Sequence, residues 1–239
     1  MLTPLVLLHG FTQTGASWAG VRAAVGDRPV VAPDLRGHGA ARAARPIDTA
    51  ALVTDVLALA PPGRFSLAGY SMGGRLALHV ALAAPERVAG LGLVSTTAGL
   101  DDGAERAARR AADDRLADDI ERDGIEAFAE RWAALPLWDG QPAAVREAAQ
   151  RERLTQDPAG LAASLRGFGT GAMEPVWGRL GELAMPAVVV VGERDAKFRA
   201  IGDRLAAGLP GARLVVVAGA GHGLPLEAPA AVADALRAI

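Results

Sequence analysis

The 239-residue sequence predicts an α/β fold: a parallel sheet of six strands with helices on both faces, interrupted once by an inserted helical segment. Three observations predict it. Short apolar runs alternate with helix-length stretches, the pattern of parallel βαβ units. One of those runs, Phe65-Ser66-Leu67-Ala68, leads into Gly69-Tyr70-Ser71-Met72-Gly73, which fits the G-x-S-x-G of a sharp turn from a buried strand into a helix. Between about residue 100 and residue 177 the alternation stops, in a charged stretch rich in alanine and arginine that contains no convincing strand.

In chain order, 5–8 reads as a buried strand ending in the loop His9-Gly10-Phe11-Thr12-Gln13-Thr14-Gly15. A short helix over 18–25 precedes the second strand, 29–33, which ends in the turn-rich Asp34-Leu35-Arg36-Gly37-His38-Gly39. Residues 47–59 read as a helix stopped by Pro61-Pro62-Gly63. The run before Ser71 is the third strand, 74–82 a buried helix, and 88–94 the fourth strand. Amphipathic helices can be drawn over 104–120, 124–134, 141–153 and 158–165. Alternation resumes with a strand over 186–191, a helix over 199–208, a strand over 212–217 and a terminal helix from Pro229. The expected organisation is a core of residues 1–99 and 178–239, with 100–177 as a helical cap over the C-terminal ends of the strands.

Composition excludes several functions. The 51% apolar fraction leans on alanine, so it implies helix as much as core. A net charge of −2 gives no reason to expect nucleic acid or an anionic membrane surface as partner. Without cysteine there is no disulfide, thiol nucleophile or thiolate metal site, and no metal or cofactor is expected. Lys197 is the sole lysine, so arginine carries nearly all the positive charge. The run Pro4-Leu5-Val6-Leu7-Leu8 is too short for a signal or membrane segment, so a cytoplasmic protein is expected. A monomer is the default expectation, with the oligomeric state undetermined by the sequence.

The turn places Ser71 in a strained backbone conformation with its hydroxyl exposed above the sheet edge. A serine hydroxyl is inert near neutral pH; it needs a base, and the base needs an orienting carboxylate. After Ser71 the chain has two histidines. His79 lies too far down the helix to reach back. His222, in the glycine-rich loop after the last strand, is at the expected end of the sheet. Asp195, just past the fifth strand, is the favoured acid; Glu193 competes, and Asp195 could instead cap the next helix. Charge developing on a reacting oxygen needs preorganised donors. Met72 supplies a backbone N–H at a helix start. Phe11 supplies the second if the first and third strands are neighbours.

Together these residues resemble the α/β-hydrolase superfamily over the whole chain. Three motifs resemble something narrower: Gly69-Tyr70-Ser71-Met72-Gly73-Gly74-Arg75, Ser164-Leu165-Arg166-Gly167-Phe168-Gly169-Thr170-Gly171, and Gly192-Glu193-Arg194-Asp195-Ala196-Lys197-Phe198. Together they are similar to 2-succinyl-6-hydroxy-2,4-cyclohexadiene-1-carboxylate synthase of menaquinone biosynthesis. That resemblance implies a lyase that eliminates pyruvate from an enolpyruvyl ether, with the serine acting through histidine and aspartate as a base. It implies a polycarboxylate substrate, with Tyr70, Arg75, Arg109, Arg166 and Trp132 as its binding residues. The arginines agree with it physically, because a planar guanidinium holds a carboxylate with two bonds. Surface ion pairing is the alternative for each arginine, and packing within the cap for Trp132. Relatives often carry a second histidine where this chain has Pro225. Two rivals stand beside the lyase: a carboxylesterase or carbon–carbon hydrolase working through an acyl-enzyme, and a small-molecule receptor on the same fold.

Overall fold

The computed structural model describes residues 2–239. The strands are β1 (Leu5–Leu8), β2 (Val30–Val31), β3 (Phe65–Tyr70), β4 (Val88–Val94), β5 (Ala187–Gly192) and β6 (Arg213–Val217). They form one sheet in the order β2-β1-β3-β4-β5-β6, and every neighbouring pair is parallel. The helices are α1 (Ala19–Ala24), α2 (Thr49–Leu59), α3 (Met72–Ala83), α4 (Gly103–Ala133), α5 (Ala143–Leu154), α6 (Pro158–Phe168), α7 (Ala196–Gly208), α8 (Leu224–Glu227) and α9 (Pro229–Leu236).

Strand alternation divides the core into two layers. Leu5, Leu7, Val188 and Val190 pack with Trp18, Val21, Val232 and Leu236 on the face covered by α1 and α9. Val6, Leu8, Val189 and Val191 face the other way, against Leu52, Val56, Leu76 and Leu205 of α2, α3 and α7. A third apolar cluster lies wholly among the inserted helices: Ala117, Ile120, Phe128, Leu161, Ala162 and Leu165.

Boundaries moved where local chemistry decides them. The second strand is cut to two residues, because the prolines at 29 and 33 lack ladder donors. The helix expected at 199 begins at Ala196, since the Asp195 carboxylate accepts the Phe198 N–H at 3.2 Å and caps it. The two inserted helices expected over 104–120 and 124–134 run as α4 with a break at Gly124, whose φ of 82° and ψ of 178° lie outside the helical region. Asp102 and Asp157 cap α4 and α6 through the Glu105 and Gly160 N–H groups, both at 2.7 Å. Among the described residues no strand lies between β4 and β5, and no helix is long and apolar enough to cross a membrane.

Candidate active site

β1 and β3 are hydrogen-bonded neighbours, so the loop after β1 and the turn after β3 open onto the same crevice. Ser71 sits at the turn with φ 50° and ψ −108°, a conformation costly for a residue with a Cβ. Two hydrogen bonds hold it there: Ser71 N–H donates to Val94 O at 2.9 Å, and Thr96 Oγ1 donates to Ser71 O at 2.7 Å. The flanking glycines allow two different close approaches. A Cβ on Gly69 would fall 2.1 Å from Gly73 O in the following helix, and one on Gly73 would fall 2.1 Å from Leu8 O in β1. The first is the strand–helix approach that the turn implies; the second is against the neighbouring strand.

β5 and β6 deliver the other two groups. Asp195 Oδ2 lies 2.7 Å from His222 Nδ1, and His222 Nε2 lies 3.4 Å from Ser71 Oγ. His222 is 3% exposed and Asp195 8%. Asp195 both caps α7 and holds the imidazole, one oxygen for each. With Nδ1–H donated to Asp195, Nε2 is free to accept the serine proton. Glu193 turns away and accepts the Gly219 N–H at 2.8 Å. His79 lies half-buried beside Phe168, at a ring separation of 6.1 Å; burial lowers its pKa to about 4. The backbone N–H groups of Phe11 and Met72 donate to no other described residue. That leaves both available for an oxyanion beside Ser71.

A cavity of about 400 Å³ opens beside Ser71 and His222, between the sheet and the inserted helices. Arg75, Arg109, Trp132 and Lys197 are on its wall. Arg75 is buried; its Nη1 donates to Phe168 O at 2.8 Å and contacts Met173 Sδ at 3.3 Å. No described carboxylate forms an ion pair with it. Burial, with Arg109 nearby, lowers its pKa to about 9, so it remains a cation at neutral pH. Arg109 is half-exposed and tied to the buried Asp113 at 2.8 Å. Trp132 lines the cavity while its ring packs 5.3 Å from Phe11 and 5.4 Å from Phe128.

Two residues implied by the resemblance are not brought to the cavity. Arg166 follows Leu165 on α6, and a 100° step turns it from the inserted core to the outside. There it pairs with Asp118 at 2.6 Å and Glu121 at 2.8 Å. Tyr70 shares the parity of Ala68 in β3, so its ring points to the α1/α9 face. It packs 5.4 Å from the His222 ring, behind the site, and burial raises its pKa.

Sequence reading missed three groups. Lys197 lines the cavity, two residues beyond Asp195 in a motif already singled out. Arg153 is buried on α5 with its Nη1 on Gln150 Oε1 at 2.5 Å; burial lowers its pKa to about 10, with Glu152 and Tyr70 acting against that. In an insertion full of arginines nothing marked it. Glu227, considered below, was hidden in a stretch read only as loop.

This fold and this serine–histidine–aspartate geometry define a serine-centred α/β enzyme, and the chain belongs to the alpha/beta hydrolase family, which matches residues 5–235. Within it the relatives are specific. The 2-succinyl-6-hydroxy-2,4-cyclohexadiene-1-carboxylate synthase of Salmonella paratyphi C (strain RKS4594) is 32% identical, covering 98% of this chain and 92% of its own. A Bacillus subtilis (strain 168) protein provisionally named as the same synthase is 38% identical, covering 94% of this chain and 85% of its own. The chain belongs to the family of these synthases. The structure of MenH from S. aureus superposes with a TM-score of 0.92 at 30% identity, covering 98% of this chain and 92% of that one.

Proposed function

We propose that the protein is a lyase that eliminates pyruvate from 2-succinyl-5-enolpyruvyl-6-hydroxy-3-cyclohexene-1-carboxylate, leaving 2-succinyl-6-hydroxy-2,4-cyclohexadiene-1-carboxylate. The observation that carries this reading is Arg75: a buried guanidinium on the cavity wall with no carboxylate of its own. Such a charge is costly to bury unless an anion joins it, and the substrate brings three carboxylates. Arg109 and Lys197 line the same cavity and offer further positive charge. Residues 100–177 act as a cap that closes this charged pocket over the strand ends.

The ring hydrogen to be removed is next to the succinyl ketone. Ser71 Oγ takes it as its own proton passes to His222 Nε2, and Asp195 holds the imidazolium that results. Negative charge moves onto the ketone oxygen, which the Phe11 and Met72 N–H groups can receive. As that charge returns, the ring double bond shifts and the carbon–oxygen bond to the enolpyruvyl group breaks. The departing enolpyruvate takes up a proton and becomes pyruvate. No acyl-enzyme forms and no water is consumed.

The same serine, histidine and open N–H pair would also serve acyl transfer, which keeps an esterase as the second reading. Incubation of the purified protein with the enolpyruvyl substrate should release pyruvate at an enzymatic rate. Fast hydrolysis of neutral esters with no pyruvate released would instead establish the esterase.

A further inference from the structure

Glu227, the last residue of α8, has a side chain only 4% exposed, and both its oxygens are turned back on the loop that carries His222. Oε2 accepts the Gly221 N–H at 2.7 Å and Arg194 Nη2 at 3.2 Å. Oε1 accepts the Gly223 N–H at 3.0 Å and Gln141 Nε2 at 3.2 Å. All four partners are donors, and two of them are the amides immediately before and after His222. We propose that Glu227 is a positioning residue: its carboxylate clamps the two amides that flank His222 and so sets the distance from the imidazole to Ser71.

The loop needs such a clamp. Glycine on both sides of His222 leaves the backbone few steric limits of its own. The Asp195 hydrogen bond fixes one ring nitrogen and leaves the loop free to carry the ring toward or away from Ser71. At 3.4 Å, the Nε2···Oγ contact is already near the limit of a hydrogen bond, so a small outward drift breaks it. The single turn of α8 supplies the return path, with Leu224 N–H on His222 O and Glu227 N–H on Gly223 O, both at 2.9 Å. Through Gln141, and through Arg194 Nη1 on Gly140 O at 2.5 Å, the same carboxylate also ties the inserted segment to the histidine loop. A glutamine cannot replace it, because one of its two positions would present N–H₂ to two donors.

This inference rests on the reading of His222 as the group that takes the serine proton. Its test uses the full-length protein with Glu227→Gln, and Glu193→Gln as control, since Glu193 holds only the Gly219 amide of the same loop. The rate of Ser71 labelling by a fluorophosphonate reads the serine–histidine geometry whatever the physiological substrate. Glu227→Gln should slow labelling and the kcat for pyruvate release by tenfold or more, with KM within about twofold. Glu193→Gln should stay within about twofold of wild type throughout. Labelling at the wild-type rate, or a loss confined to KM or to thermal stability, would overturn the proposal. If Glu227→Gln does not fold, amide exchange in the wild type decides: Gly221 and Gly223 should exchange as slowly as β5, and exchange at free-peptide rates overturns it. A wild type that releases no pyruvate, yet labels in a Glu227-dependent way, would sink the lyase reading and leave the clamp standing.

Discussion

A guanidinium as deeply buried as that of Arg75 ordinarily has an anion beside it; here it has a carbonyl, a thioether and the face of Phe168, 5.1 Å away. Arg166 is the opposite case, with two carboxylates on the surface of the inserted helices and no open face toward the cavity. The two therefore separate cleanly. Losing a charge-assisted bond to a desolvated carboxylate costs about 1.5–3 kcal/mol, or roughly ten- to a hundredfold in kcat/KM. Arg75→Ala should depress pyruvate release by that factor while leaving turnover of a small neutral ester nearly unchanged. Arg166→Ala removes a half-exposed surface pair and should change kcat/KM by less than about threefold. Equal losses from the two substitutions, measured in one assay, would mean that Arg166 leaves its surface partners to reach the substrate.

At the scale of elements, α4 matters most to the site, because its second half carries Trp132 to the cavity and Phe128 to the inserted core. The break at Gly124 sets the direction of that half. Its φ and ψ are in a region open essentially to glycine, while a Cβ there would meet nothing closer than Glu126 Oε2 at 3.7 Å. The cost of Gly124→Ala is thus conformational rather than steric, about 1–3 kcal/mol, and should lower Tm by several degrees. Gly103→Ala, at the helical start of the same element with open space around it, should leave Tm unchanged or raise it slightly through helix propensity. A melting curve for each variant checks both, and an unchanged Tm for Gly124→Ala would mean the break is soft.

For the molecule as a whole, His9 and His38 make stability depend on pH. Both are fully buried, 5.1 Å apart between ring centres. The Leu35 N–H donates to His9 Nε2 at 2.9 Å, so His9 carries its proton on Nδ1, against Gly10 O at 2.8 Å, and is neutral. Burial, above all, lowers the His9 pKa to about 4 and that of His38 to about 3, where His9 adds to the effect. In the unfolded chain both titrate near 6.5. Between that value and the folded ones the unfolded state binds more protons, so the stabilisation is complete above about pH 6.5 and is lost as pH falls toward 4 and 3. By pH 5 the two together should cost a few kcal/mol, at a pH where most carboxylates are still ionised. Tm should therefore drop by several degrees between pH 7.5 and 5. A flat profile over that range would mean that burial does not hold these histidines neutral in the folded protein.

What the sequence alone determined was local and periodic. Alternating apolar runs specify strands buried on both faces, and these assembled into a wholly parallel sheet with the insertion between the fourth and fifth strands. The G-x-S-x-G turn placed Ser71, and loops just past strand ends placed Asp195 and His222, because in a parallel sheet every strand end of one polarity opens on the same side. Tertiary structure alone decided which way the side chains between those points face. Arg75 and Arg166 look alike in sequence, each an arginine in a glycine-rich helical motif. One is buried against Phe168 at the end of α6 and opens on the cavity; the other follows Leu165 by a step that turns it to solvent. Tyr70 adjoins Ser71 in the chain, yet strand parity sends it behind the site. Glu227 owes its place to four donors drawn from three separate segments, and no spacing within the chain encodes that convergence.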